Sequence, residues 1–234
     1  MTQEAYKARY NTYVALTEQR LKTLCDEYLP VAARISQAAR YSLLGGGKRV
    51  RAVLVLAACE LSGGNVDAAA DYAAALEMLH CYSLIHDDMP CMDNDDMRRG
   101  RPSCHKQYDE ATALLAADAL VTAAFEAVAN APLSASSRVR TAAILAKAAG
   151  ARGMLYGQEL DKRFETETAS EEQLLELHRH KTGALILAAV QMGCAAADAP
   201  DALQLPLEQY AREIGLVFQI VDDVLDVTSS TETL

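Results

Sequence analysis

Residues 80–105 read HCYSLIHDDMPCMDNDDMRRGRPSCH, an apolar helical run that ends in five aspartates followed by three arginines. A second acidic run, DDVLD, occupies residues 222–226. Asp222 and Asp226 are four residues apart, and like charges at that spacing destabilise an isolated helix. Mg²⁺ prefers oxygen ligands and is usually held by a few carboxylates together with substrate phosphates. The two runs therefore predict a divalent-cation site, and the arginines suit the free oxygens of a polyphosphate. The alternative for residues 87–101 is a surface loop whose charges neutralise one another. An EF-hand is excluded, because these residues lack its required glycine and terminal glutamate.

The composition favours a globular protein with acidic surfaces. The chain has 234 residues, 51% of them hydrophobic, and a formal net charge of −10, which argues against nucleic acid as a partner. Its six cysteines contain no CxxC motif and predict reduced thiols, hence a cytoplasmic protein. The N-terminal residues lack the apolar core of a signal peptide, and the longest uncharged stretch, residues 183–197, is too short to span a bilayer.

Helix-forming residues dominate the whole length, and no alternating strand pattern or Asn-Gly hairpin signal stands out. We therefore predict an all-α chain. The predicted helices cover residues 6–28, 31–43, 48–62, 66–89, 107–130, 136–164, 170–179, 181–197 and 205–228. All six prolines are expected at helix ends. No linker divides the chain, so residues 1–234 are predicted to form a single domain.

The segment GGGKRVR, residues 45–51, comes directly before an apolar helix. Helix N-termini present free N–H groups and favour anions. Lys48 and Arg51 are three residues apart and can face one phosphate, while the glycines allow close backbone approach. A flexible loop with a solvated basic turn fits these residues equally well.

Three further motifs each leave two interpretations open. Glu77 and His80 have the spacing of half a di-iron site, but the second copy is missing, so His80 is either a core histidine or an anion contact. Gly153 and Gly157, inside predicted helix 136–164, indicate close helix packing, and Gln158 and Asp161 follow at i, i+3. The segment KTG, residues 181–183, is either a plain helix start or a cation and hydroxyl directed into a cavity.

The order of the motifs GGGKRVR, HCYSLIHDDMPCMDNDDMRRGRPSCH, GQELD, KTGAL and GLVFQIVDDVLDVT resembles that of the trans-isoprenyl diphosphate synthases. The likeness is greatest to farnesyl diphosphate synthases of the bacterial type and covers residues 40–228. It implies an isoprenoid-synthase-type bundle of antiparallel helices around a central cavity. The two aspartate motifs would face each other across the mouth of that cavity.

The resemblance also implies roles for individual residues. Three Mg²⁺ ions, with Mn²⁺ as an alternative, would be held by the acids of both motifs: Asp87, Asp88, Asp93, Asp222, Asp223 and Asp226. The allylic diphosphate would contact Arg98 and Lys181. The diphosphate of isopentenyl diphosphate would contact Gly47, Lys48, Arg51, His80 and Arg99. Thr182 and Gln219 would lie near the reacting carbons, and the catalytic set would be Asp87, Asp88, Lys181 and Asp222.

The implied reaction joins isopentenyl diphosphate to dimethylallyl or geranyl diphosphate by ionisation, condensation and elimination, and gives farnesyl diphosphate. The departing diphosphate is the base in the family, so no protein base is assigned. Chain length would be set by Tyr82 and Ser83, with the Tyr82 ring as the floor of the tail pocket. Core packing of Tyr82 and a C20, geranylgeranyl product are the alternatives.

Two further expectations come from the resemblance. The family pattern continues after the second aspartate motif, so we expect a C-terminal part of the domain to be missing from residues 1–234. That expectation keeps open a non-catalytic homologue that pairs with an active subunit, although both aspartate motifs are intact. A terpene cyclase would not need Lys48 and Arg51. The family is usually homodimeric, and we expect a homodimer here.

Overall fold

A computed structural model of the chain describes residues 2–228, apart from the side chains of residues 222, 223 and 225–228. Helices account for most of it and confirm the all-α prediction. The elements are α1 (Gln3–Tyr28), α2 (Arg34–Leu43), α3 (Val50–Leu61), α4 (Val66–Asp87), β1 (Met97–Arg98), β2 (Arg101–Pro102), α5 (Cys104–Gln107), α6 (Glu110–Asn130), α7 (Ala135–Ala149), α8 (Met154–Phe164), α9 (Glu171–His178), a π-helical turn (Arg179–Gly183), α10 (Ala184–Ala196) and α11 (Asp201–Thr228).

Helix α4 is the centre of the bundle. It packs against α1, α3, α6 and α10, and its side chains are buried on every face over most of its length. Tyr72, Leu76 and Leu79 are completely buried. A helix that is apolar all round has to lie inside a protein. The Asn65 side chain begins the helix by accepting a hydrogen bond from the Ala68 amide at 3.1 Å. The polar residues at the other end of α4 are thereby placed at the edge of the core.

Helix α6 is the one helix within the described residues that is long and apolar enough to cross a membrane. Half of its most apolar window is buried inside the bundle, where it packs on α4 and α2. This packing accounts for its composition, as in the core helix of a globular domain.

The predicted helix 136–164 is wrong, because the chain turns between α7 and α8. Gly153 starts α8, and a Cβ atom there would overlap the carbonyl oxygen of Ala148. Gly150 caps the end of α7, and glycine is a poor helix former, so both ends of the break carry a residue that disfavours a continuous helix. Gly153 therefore serves a turn and does not pack inside a helix.

The hairpin β1–β2 was not predicted. Met97 pairs with Pro102 and Arg98 with Arg101. The two residues between them, Arg99 and Gly100, both have positive φ angles, 54° and 72°. Two-residue hairpin turns of this kind favour Asn-Gly, so an Arg-Gly turn carries a weak sequence signal.

Two predicted boundaries also differ from the structure. The predicted helices 170–179 and 181–197 form one continuous run, since the π-helical turn joins α9 to α10. Helix α11 begins at Asp201 and not at residue 205, so Pro206 lies inside the helix. The expectation that every proline marks a helix end is therefore wrong at Pro206.

A buried ion pair fixes the start of α3. Arg49 has a left-handed backbone, with a φ of 52°, and its side chain is almost completely buried. Its guanidinium bonds Glu18 at 2.7 Å, Glu77 at 3.2 Å and the carbonyl of Leu43 at 2.7 Å. The Glu77 carboxylate also accepts the Ala52 amide hydrogen bond at 3.2 Å. Glu77 is thus a structural counter-ion, which removes the di-iron interpretation.

Glu77→Ala should lower the free energy of unfolding by about 3 kcal/mol, because it leaves the buried Arg49 guanidinium with one carboxylate fewer. Urea unfolding followed by circular dichroism measures the change. Glu167→Ala is the matched control, since its ion pair with Arg163 at 3.4 Å is exposed and should contribute less than about 0.5 kcal/mol. Equal effects of the two substitutions would contradict a structural role of the buried pair.

Candidate active site

The first aspartate motif lies at the carboxyl end of α4, where the chain folds back on itself. Asp87 is the last residue of the helix and Asp88 its cap. The backbone amide of Asp93 donates a hydrogen bond to the Asp87 carbonyl at 2.9 Å, and the Asn94 amide donates to the Met89 carbonyl at 3.1 Å. These bonds close residues 87–94 into a compact loop that bridges the four residues between Asp88 and Asp93.

Each carboxylate of this motif has its own partner. The Gln158 amide donates to Asp87, and the Arg98 guanidinium binds Asp88, with Nε at 2.9 Å from Oδ1. The Lys162 ammonium lies 3.3 Å from an oxygen of Asp93. Arg98 also contacts Asp95 at 3.2 Å. Each of the three acids of the motif therefore faces a different neutralising or polar group.

Burial makes these acids weaker. Desolvation raises the pKa of Asp87 from 3.8 to about 6; nearby Lys181 lowers it again in part, whereas the charge of Asp93 adds to the rise. Desolvation also raises the pKa of Asp88, against the opposing effect of Arg98. Both residues lie at the negative end of the α4 dipole, which disfavours their charge further.

The π-helical turn carries Lys181 and Thr182 toward the acidic motif. Gly157 of α8 lies directly against the backbone of Lys181, so that any Cβ atom at this position would overlap it. The Lys181 ammonium pairs with Asp161, and the buried Thr182 hydroxyl donates to the Gln219 side chain at 2.5 Å. The GQELD and KTG motifs, far apart in sequence, thus form one surface.

The basic loop brings together most of the residues expected to bind the second diphosphate. Arg51 Nη1 lies 3.2 Å from Nε2 of His80. Burial, helped by the charge of Arg51, holds the pKa of His80 well below its usual value, so the imidazole is neutral. The Arg99 guanidinium donates to the Gly46 carbonyl, and a Cβ atom at Gly47, whose φ is 134°, would lie 2.8 Å from Arg99 Cζ.

Lys48 lies at the rim of this cluster. Its side chain is exposed, and its carbonyl accepts a hydrogen bond from the Tyr10 hydroxyl. The structure therefore places Lys48 beside the basic cluster and not inside it.

A cavity of about 240 Å³ lies beside the acidic motif. The Tyr82 ring forms part of its wall and packs edge-on against His86, with the ring centres 5.3 Å apart. Ser83 also lines the cavity, and its hydroxyl donates to the His80 carbonyl at 2.8 Å. Met154 and Leu155 cover another side and make the lining mainly apolar.

The second aspartate motif falls at the end of α11, whose backbone is helical as far as Thr228. The side chains of Asp222, Asp223 and Asp226 lie outside the described residues. The opposition of the two acidic motifs therefore stays a prediction. Gln219, one turn earlier, ties α11 to Thr182 of the π-helical turn.

The donor set of the first motif suits a hard cation. Carboxylate oxygens are the ligands that Mg²⁺ prefers, and it needs only one or two from the protein when phosphates supply others. Among the described residues, however, no group of three potential ligands has converged as a metal site. The reason is visible in the contacts, since Asp87, Asp88 and Asp93 are each turned toward a separate partner.

Three residues of the site were not predicted to take part in it: Gln158, Asp161 and Lys162. The i, i+3 spacing of Gln158 and Asp161 indicated that they share a face, but not what that face contacts. Lys162 carried no signal, because a lysine near the end of a helix is ordinary.

Comparison with known proteins shows the family of the chain. Residues 32–234 match the family described as polyprenyl synthetase, and the chain belongs to that family. A farnesyl diphosphate synthase of Micrococcus luteus is 45% identical over 213 residues, which are 91% of this chain and 73% of that protein. A chloroplastic geranylgeranyl pyrophosphate synthase of Capsicum annuum is 50% identical over 86% of this chain and 55% of its own length. The chain thus spans about half to three quarters of these relatives.

Solved structures show the same fold. A geranyltransferase from Legionella pneumophila superimposes with a TM-score of 0.90 and 42% identity, over 95% of this chain and 80% of that one. An FPP/GFPP synthase from Zymomonas mobilis gives a TM-score of 0.88 and 40% identity, over 96% and 84%. The isoprenoid-synthase-type architecture predicted from the motif order is confirmed.

The raised pKa of Asp87 predicts a pH effect in the presence of a metal chelator. An acid with a higher pKa in the folded state binds more protons when folded, so its contribution to stability falls as pH rises. The free energy of unfolding of the unaltered chain minus that of Asp87→Asn should therefore decrease between about pH 4 and pH 7, the interval that the shift from 3.8 to about 6 covers. Urea unfolding at a series of pH values measures this difference.

Asp109→Asn is the control with the opposite sign. Its hydrogen bonds with Thr112 lower the pKa of Asp109 below 3.8, so the corresponding difference should increase as pH rises in the acidic range. A flat difference for Asp87→Asn would show that its carboxyl is as acidic in the folded chain as in the unfolded one.

Proposed function

We propose that this chain is a prenyltransferase that joins isopentenyl diphosphate to an allylic diphosphate and yields farnesyl diphosphate. The observation that carries the proposal is that a basic cluster and an acidic cluster, each suited to bind a diphosphate, lie along one helix. His80 and Asp87 are seven residues apart on α4, or about 10 Å at 1.5 Å per residue. A basic cluster at His80 and an acidic, cation-binding cluster at Asp87 suit two diphosphates lying side by side. The polyprenyl synthetase match and the synthase relatives support the same reaction.

The acidic cluster handles the allylic diphosphate. Asp87, Asp88 and Asp93, with the acids of residues 222–226, would hold Mg²⁺, which supplies a Lewis acid that stabilises the leaving diphosphate. Arg98, which pairs with Asp88, and Lys181, whose charge lowers the pKa of Asp87, would bind the remaining oxygens.

The basic cluster handles isopentenyl diphosphate. The planar guanidiniums of Arg51 and Arg99 suit bidentate contacts with phosphate oxygens. Neutral His80 adds one N–H donor without adding charge. The missing side chain at Gly47 leaves room for the Arg99 guanidinium, so the backbone before Lys48 lies directly against that cation. This cluster holds the diphosphate of the attacking substrate in a fixed place, and the double bond is oriented by that anchor.

The mainly apolar cavity beside the acids would take the hydrocarbon tail and keep water from the allylic cation. The Tyr82 ring in its wall favours a C15 product, with a C20 product as the alternative, since the relatives include farnesyl and geranylgeranyl synthases.

Leu114 and Leu115 are exposed on α6 next to this cavity and support a homodimer through that helix. We also place the protein in the cytoplasm, in keeping with its six unpaired cysteines.

Product analysis tests the reaction. The purified chain with Mg²⁺, isopentenyl diphosphate and geranyl diphosphate should release a C15 alcohol after dephosphorylation. Arg51→Gln should raise KM for isopentenyl diphosphate at least tenfold and leave the KM for geranyl diphosphate within twofold, because only the basic cluster is altered. Arg140→Gln, which alters a surface contact with Gln204, is the control and should change neither.

Two outcomes would contradict this assignment. Product formed from geranyl diphosphate alone, and insensitive to Arg51→Gln, would indicate a cyclase. A chain that binds Mg²⁺ and both diphosphates but forms no product would indicate a non-catalytic homologue that needs an active partner.

Tyr82→Ala should lengthen the product from C15 to C20 or longer, since it removes a ring from the wall of the tail cavity. Chromatography of the dephosphorylated products measures their length. Tyr210→Ala is the matched control, because Tyr210 is exposed on α11, and its product should stay C15. An unchanged C15 product from an active Tyr82→Ala variant would show that the ring only packs in the core.

A further inference from the structure

Lys162 contacts the first aspartate motif, but the proposed reaction gives it no role. It lies in the last turn of α8, and its ammonium has three oxygen partners. They are the Met92 carbonyl at 2.8 Å, the Asp93 carboxylate at 3.3 Å and the Glu165 carboxylate at 2.6 Å. An ammonium has three N–H donors, so these contacts use its whole capacity.

We propose that Lys162 is an internal counter-ion that a divalent cation must displace from Asp93, and that this competition sets the metal affinity of the first aspartate motif. The inference rests on the proposed function, in which Asp93 is a metal ligand. Lys162 would act on that ligand and would not itself touch the substrates. It is therefore a positioning residue.

The contacts of Lys162 allow it to leave Asp93 without becoming unpaired. The Asp93 contact is the longest of the three, and the Lys162 and Asp93 side chains are 26% and 30% exposed. An ion pair of this kind is weak. When a cation takes Asp93, the ammonium can keep its shorter bonds to Glu165 and to the Met92 carbonyl. Glu165 thus serves as the alternative partner that makes the exchange reversible.

The other two acids of the motif differ in this respect. Asp88 is buried and pairs with Arg98, whose guanidinium makes two contacts with it, and Asp87 accepts from the uncharged amide of Gln158. A metal cation that binds Asp88 has to break an ion pair stronger than the Lys162–Asp93 pair. At Asp87 it displaces only an uncharged amide. Lys162 is consequently the positive group whose removal should change metal affinity most simply.

Two variants should change metal affinity in opposite directions. Lys162→Gln removes the competing ammonium and should tighten metal binding about three- to tenfold. Glu165→Gln removes the alternative partner, leaves Lys162 more strongly bound to Asp93, and should weaken metal binding about two- to fivefold.

A matched pair of variants separates this competition from a general change of charge. Arg163 and Glu167 carry the same two charges and pair with each other at 3.4 Å, and within residues 2–228 neither forms an ion pair with the first aspartate motif. Arg163→Gln and Glu167→Gln should each leave the dissociation constant within twofold of the unaltered chain.

The experiment is a titration with Mn²⁺, with and without inorganic diphosphate, followed by electron paramagnetic resonance of the free ion. It measures binding directly and needs no turnover. Circular dichroism of each variant verifies that it is folded. Lys162→Arg, which keeps the charge, should bind Mn²⁺ within twofold of the unaltered chain.

Two results would overturn the inference alone: equal Mn²⁺ affinity of the unaltered chain and Lys162→Gln, or an equal gain from Arg163→Gln, which would indicate bulk electrostatics. Failure of the unaltered chain and of every variant to bind Mn²⁺, even with diphosphate, would overturn the proposed function together with this inference.

Discussion

Negative charge gathers at the carboxyl end of α4, and the elements around it have to balance that charge. Asp87 and Asp88 add their carboxylates to the negative end of a helix dipole, in a place where desolvation already disfavours ions. Three separate parts of the chain place polar or positive groups beside these acids. Helix α8 supplies Gln158 and Lys162, the β1–β2 hairpin supplies Arg98, and the π-helical turn brings Lys181 close. The positions of these elements relative to α4 are therefore tied to electrostatics as much as to apolar packing.

Backbone approach, more than side-chain length, decides where those positive groups lie. At Gly157 the absence of a Cβ atom lets α8 touch the π-helical turn, which places Lys181 beside Asp161. At Gly47 it leaves room for the Arg99 guanidinium. Both contacts join segments that are distant in sequence, so neither can be inferred from local propensity. Arg49 supports the contact between Gly47 and Arg99, since its buried ion pair with Glu77 fixes the start of α3 against α4.

The sequence was sufficient for the helical architecture, because most helices carry local signals such as the Asn65 and Ser170 caps and their apolar faces. It was insufficient at the α7–α8 turn, where Gly153 was interpreted as a packing residue inside a helix, and at the Arg99–Gly100 turn, whose residue pair is a weak hairpin signal. For the site, the sequence placed His80 and Asp87 on one face of α4, and the structure brings Arg51 of the basic loop to His80. The partners Asp161 and Lys162 could not be predicted, since a charge on a helix surface gives no indication of which distant loop it will meet.

Each acid of the first aspartate motif has a separate partner, and this affects how the proposed substrates would bind. A cation that takes Asp88 has to displace Arg98, and the freed guanidinium then needs a new anion. A diphosphate provides that anion and also supplies further ligands to the cation. Metal and diphosphate should accordingly each strengthen the binding of the other, as linkage requires whenever two ligands relieve the same unfavourable charge. An acidic site that is assembled only when both arrive keeps each of its carboxylates paired with a polar or charged group at all other times, which is how α4 can end in buried aspartates and remain folded.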